Sequence, residues 1–80
     1  MKVTVQFVSY SKLTGTNESL LELPEGAAVA DLAGVLAERY PRLFPLAERA
    51  VYLVNQRTAT RETRLKDGDQ VHMLRVVGGG

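Results

Sequence analysis

The stretch Val29–Pro41 reads VADLAGVLAERYP. Val29, Leu32, Ala33, Leu36, Ala37 and Tyr40 recur at helical spacing and form one continuous apolar stripe. Asp31 in the first turn and Arg39 in the last suit the helix dipole. Pro41 ends the helix, because a proline disfavours helical backbone in the residue before it. Two residues work against it. Ala28 has no side-chain oxygen to cap the first turn, and Gly34 costs up to about 1 kcal/mol relative to alanine in a helix interior. An apolar stripe of this kind needs one apolar sheet face to lie on.

The flanking sequence supplies the sheet. Upstream, Val3, Val5 and Phe7 alternate with Lys2, Thr4 and Gln6, the period of a half-buried strand that ends near Ser9. The turn cluster Thr14-Gly15-Thr16-Asn17 separates it from a second strand, Glu18 to Leu23, with Leu21 and Leu23 on one face. These two predict an antiparallel hairpin with a long loop, stopped by Pro24-Glu25-Gly26. Downstream, Leu43, Phe44, Leu46 and Ala47 form a connector with one helical turn expected over Leu46 to Arg49. Val51 to Val54 predicts a third strand with its turn at Asn55-Gln56. The polar stretch that follows holds at most a short edge strand near Thr58 to Thr60. Asp67-Gly68-Asp69 is a tight turn, and Gln70 to Val77 reads as the last strand, with Val71, Met73 and Arg75 on one face. The most apolar strands, first and last, are expected to pair centrally. The order strand, strand, helix, strand, small strand, strand is that of an α+β β-grasp, or ubiquitin-like, fold: a mixed four- to five-stranded sheet on one main helix. Residues 1–77 are read as the domain and 78–80 as a flexible glycine tail.

Composition narrows the functions. The chain has 80 residues, ten Lys plus Arg and nine Asp plus Glu, which leaves one domain and argues against a nucleic-acid partner. It has no cysteine, hence no disulfide framework, thiolate zinc site or cysteine nucleophile. One histidine, His72, excludes a multi-histidine metal site. Asp67 and Asp69 lack the further oxygen ligands that calcium requires, and Glu18 and Glu22 read as solvated strand residues. No apolar run approaches the ~18–20 residues needed to span a bilayer, so no membrane association is expected. Met1-Lys2-Val3-Thr4-Val5 begins no signal-peptide stretch, and a cytoplasmic protein is expected.

In detail the chain resembles the MoaD/ThiS family of ubiquitin-like sulfur carriers, on the side of the molybdopterin synthase small subunit. The resemblance rests on Lys12-Leu13-Thr14-Gly15 after the first strand, Leu23-Pro24-Glu25-Gly26 before the helix and the helix itself. It continues through Val54-Asn55, the run Leu65-Lys66-Asp67-Gly68-Asp69-Gln70-Val71 and the closing Gly79-Gly80. Arg75-Val76-Val77 stands where such members often carry Pro-Pro-Val, Gly78 replaces a common Ala, Ser or Thr, and the first loop is about one residue short.

The resemblance implies a carrier, and not an enzyme. Its site is Gly80, whose α-carboxylate is adenylated by an ATP-using activating enzyme and converted to a thiocarboxylate, with Gly79 beside it and Gly78 in support. Glycine is slender and conformationally free, and six extended residues from Arg75 to Gly80 reach roughly 20 Å. No cofactor or metal is expected on the chain itself. The partners implied are the activating enzyme and the large synthase subunit, with a monomer expected alone and a hetero-oligomer in function. Val8, Leu74 and Val76 are expected to face away from the helix and contact these partners, with Arg75 meeting an acidic groove. The alternatives are a modifier joined to lysines through the same glycine, a carrier for thiamine, tRNA thiolation or cysteine synthesis, and an interaction module with an inert tail.

Overall fold

Alternation along the first strand decides which face of the sheet becomes core. In the computed structural model, which describes residues 1–75, Val3, Val5 and Phe7 of β1 (Lys2–Phe7) are buried while Thr4 and Gln6 are not. β2 (Glu18–Glu22) pairs antiparallel with β1, Val3 opposite Leu21. The helix α2 runs Val29–Arg39 and buries Val29, Leu32, Ala33 and Leu36. Ala37 and Tyr40 lie half-buried at the stripe's end, where the Tyr40 ring meets Phe7 edge-on at 5.4 Å between centroids. β3 (Val51–Val54), β4 (Arg57–Thr58) and β5 (Gln70–Leu74) complete the sheet in the order β2-β1-β5-β3-β4. β5 lies parallel to β1 and antiparallel to β3, so first and last strands are central neighbours as expected. Leu43, Ala47, Tyr52, Leu65, Val71 and Met73 close the core between sheet and helix. A leucine, valine or methionine side chain fully buried there contributes about 1.5–3 kcal/mol.

Three differences from the sequence reading have local causes. The segment after β1 is not only a loop: Ser11–Thr14 forms one helical turn, α1, ended by Gly15 at φ +79°. Its four residues bury nothing completely and leave no periodicity to read. The edge strand is Arg57–Thr58, one position earlier than expected, because Asn55 and Gln56 at φ 50° and 72° make a two-residue hairpin turn that pairs Val54 with Arg57. The last strand runs Gln70–Leu74 and Arg75 lies just past it; Val76 and Val77, read as its continuation, lie outside the described residues, as do the tail and its boundary. The turn of helix at Leu46–Arg49 (α3) falls where expected.

The Asp67-Gly68-Asp69 turn ties three elements together. The Lys2 N–H donates to Asp67 Oδ1 at 2.7 Å, and the Gly68 N–H donates to the Lys2 carbonyl at 2.7 Å. Asp69 is 8% exposed; its carboxylate accepts from Asn55 Nδ2 at 2.8 Å and from the Lys66 N–H at 2.7 Å. The turn therefore fixes the start of β1 and the β3–β4 turn while delivering the chain into β5.

Candidate functional site

Strands β1, β5 and β3 present their second face away from the helix. The registers place Gln6, His72 and Leu53 across it in one row, and Val51 beside Leu74 in the next. Phe7 pairs with Met73, and the Val8 N–H donates to the Met73 carbonyl at 3.3 Å. Val8 therefore lies at the same end of the sheet as Leu74. Val8 is 56% exposed, Leu74 is half-buried and Arg75 is exposed. Two of the expected contact residues thus come together where β5 leads toward the C-terminus. The other expected site residues, Val76, Gly78, Gly79 and Gly80, lie outside the described residues.

Val51 and Leu53 belong to this face and were not singled out from the sequence. Both are half-buried, and Tyr52 between them is buried. The signal was available: Val51–Val54 is apolar at every position, and with one helix to cover the sheet, alternate residues must face away from it. His72 lies in the middle of the face, half-buried, with Nδ1 enclosed and without a hydrogen-bond partner among the described residues. No group of three His, Asp or Glu side chains among the described residues converges to hold a metal ion. No helix among them is long and apolar enough to cross a membrane.

A cleft opens beside the same end of the sheet. Tyr10, Lys12 and Leu13 come from the α1 segment, Leu46 and Arg49 from α3, and Arg75 from the end of β5. Tyr10 is buried, which pushes its phenol up, while the nearby Arg75 guanidinium pulls it back. The phenol of Tyr52 donates to the Ala47 carbonyl at 2.7 Å and holds α3 against β3. Burial first, then Tyr10 and Glu48, push the Tyr52 phenol well above its ordinary value, with Arg61 opposing.

The described residues at this end of the sheet are an exposed Val8, a half-buried Leu74 and an exposed Arg75, and comparison with known proteins gives the chain a family. The ThiS family model matches residues 6–80, from β1 through the terminal glycine. The chain belongs to the ThiS family.

Among individual relatives, the molybdopterin synthase sulfur carrier subunit of Mycobacterium tuberculosis is 38% identical over 60 residues, 75% of this chain and 72% of that protein. A Pyrococcus furiosus protein designated molybdopterin converting factor, subunit 1, superposes with a TM-score of 0.82 at 30% identity, covering 96% of this chain and 99% of that one. A chain of the Helicobacter pylori complex of subunits 1 and 2 of molybdopterin-converting factor gives 0.72 at 25% identity over all of both chains. Small archaeal modifier protein 1 of Methanosarcina acetivorans gives 0.81 at 26% identity, covering 99% and 96%. The β-grasp architecture read from the order of elements is thus the architecture of this ThiS-family chain.

Proposed function

We propose that this ThiS-family chain is a sulfur carrier of the molybdopterin synthase small-subunit type. The observation that carries the reading is the family match that runs through Gly80, together with the 38% identity to a carrier subunit. The carboxylate of Gly80 attacks the α-phosphate of ATP on an activating enzyme, giving an acyl-adenylate and pyrophosphate. A sulfide equivalent then displaces AMP and leaves a thiocarboxylate. Gly79 and Gly78 allow the tip to enter a narrow active site. The apolar row Val8, Leu74 and Val51 is the surface that docks on the activating enzyme and on the large synthase subunit. There the thiocarboxylate delivers sulfur to the pterin precursor. The chain acts as co-substrate and subunit, and the partners supply ATP binding and the catalytic side chains.

The likeness to small archaeal modifier protein 1 supports a second reading. A lysine amine would then attack the activated Gly80 and form an amide. Activation is shared and only the acceptor differs.

The test is intact mass after incubation with ATP, a sulfide donor and the host's activating enzyme. The expected result is a gain equal to one oxygen exchanged for sulfur, mapped to the Gly80 peptide and absent when Gly80 is deleted. An unchanged mass, with a control carrier converted alongside, overturns the carrier reading. Amide adducts to lysines in place of the thiocarboxylate favour the second reading.

A further inference from the structure

The cleft beside the end of β5 is lined by basic side chains and by no acidic one. Lys12, Arg49 and Arg75 line it, three of the chain's ten basic residues, and none of its nine acidic residues does. None of the three makes an ion pair with a described residue, whereas Arg61 is held by Glu48 at 2.7 Å. In a chain of net charge +1, this segregation is local and not a consequence of a basic composition. Apolar side chains line the cleft with them: Leu13 is half-buried and Leu46 is 36% exposed. Three like charges gathered round exposed apolar side chains repel one another, and a partner's carboxylates relieve that repulsion.

We propose that this cleft receives an acidic segment of the large synthase subunit, with carboxylates meeting Lys12, Arg49 and Arg75 and an apolar side chain seated on Leu13 and Leu46. The inference rests on the carrier reading above and adds to it a second contact, separate from the apolar sheet face. Arg75 is shared between the cleft and the chain leading to the glycines, so an anionic partner segment held here fixes where that chain departs. Three charges are too few for nucleic-acid binding, which draws on an extended basic surface. Complementary charge of this kind sets orientation and association rate more than bulk affinity, and salt screens it where it is exposed.

The experiment is titration of the host's large synthase subunit with the full chain at low and high NaCl. It compares wild type, Lys12→Glu, Arg49→Glu and Arg57→Glu. The last lies beside Val54 at the opposite end of the sheet and changes net charge equally. Matching thermal melts establish that each variant is folded. The expected result is a loss of about tenfold or more for Lys12→Glu and Arg49→Glu at low salt with a flattened salt dependence, and no comparable loss for Arg57→Glu. Unchanged binding by both cleft variants, with sulfur loading intact, overturns the cleft and leaves the carrier reading standing. Displacement of the large subunit by AMP from wild type but not from Arg49→Glu assigns the cleft to a nucleotide and overturns the acidic segment. A wild-type chain that neither loads sulfur nor binds the subunit removes both.

Discussion

At the scale of single residues, the backbone rests on positions where the chain must turn left-handed. Gly68 at φ +87° allows the tight turn in which its N–H reaches the Lys2 carbonyl. Asp69 then stays buried because each carboxylate oxygen has a donor, since a buried charge is tolerated only when paired or hydrogen-bonded. Gln56 is the residue that goes against the rule. It sits at φ 72° with a side chain, in a two-residue hairpin turn where glycine is favoured after asparagine. A left-handed non-glycine residue costs roughly 1–2 kcal/mol. Part of that is returned to the unfolded chain's entropy when glycine replaces it. Gln56→Gly is therefore expected to stabilise the fold by about 0.5–1 kcal/mol, read as a rise of a few degrees in Tm for a domain of this size. A fall in Tm would mean that the Gln56 side chain contributes more than the backbone loses.

At the scale of elements, the start of α2 explains why Ala28 is acceptable there. The Val29 N–H donates to the Thr63 carbonyl at 2.9 Å and the Ala30 N–H to the Arg61 carbonyl at 3.0 Å. The Asp31 N–H reaches the Ala28 carbonyl at 2.9 Å, and the Asp31 carboxylate accepts the Ala28 N–H at 2.8 Å. A distant loop supplies what an N-cap side chain normally does, so Ala28→Ser should change stability by less than about 0.5 kcal/mol, where an uncapped helix would gain about 1 kcal/mol. Denaturant unfolding of both proteins decides between the two. The α3–β3 contact makes a pH prediction. Tyr52 is neutral in both states below the ordinary tyrosine value near 10. Above it the unfolded chain loses a proton that burial keeps on the folded one. The unfolded state then binds fewer protons, so stability present below about pH 10 is lost as pH rises further. Tyr52→Phe should shallow this alkaline decline. At neutral pH it should cost about 1–3 kcal/mol, because the Ala47 carbonyl loses its donor. Equal alkaline slopes in the two proteins would remove Tyr52 from that account.

At the scale of the whole molecule, α2 covers one face of the five-stranded sheet, and among the described residues Leu74 and Val51 lie side by side on the other, with Val8 at the same end. Small soluble proteins rarely leave apolar side chains gathered on one surface without a partner. Val8 is exposed, so Val8→Asp should leave the melting temperature within a few degrees of wild type. It should weaken assembly with the large synthase subunit by tenfold or more, since an uncompensated carboxylate in a docked apolar face costs several kcal/mol. Titration of the two purified proteins reads this directly, and unchanged affinity would remove Val8 from the docking surface.

Much of the fold was present in local patterns. Alternation at Val3, Val5 and Phe7, the stripe from Val29 to Tyr40 and the Asp-Gly-Asp turn each have a short-range physical cause, and together they determine the order of elements. The parity of β1 and β5 also determined that Val8 and Leu74 would lie off the core. What sequence reading did not supply depended on partners distant in the chain. The helical turn at Ser11–Thr14 packs against the segment after α2, and too few of its residues are buried to print a period. Val51 and Leu53 join the sheet face that carries Leu74 and His72 only through pairing with β5. The capping of α2 by the carbonyls of Arg61 and Thr63, and the gathering of Lys12, Arg49 and Arg75 around one cleft, join residues tens of positions apart. Periodicity records which side of an element faces the core; only the packed tertiary structure decides which elements lie side by side, and so which charges and apolar side chains share a surface.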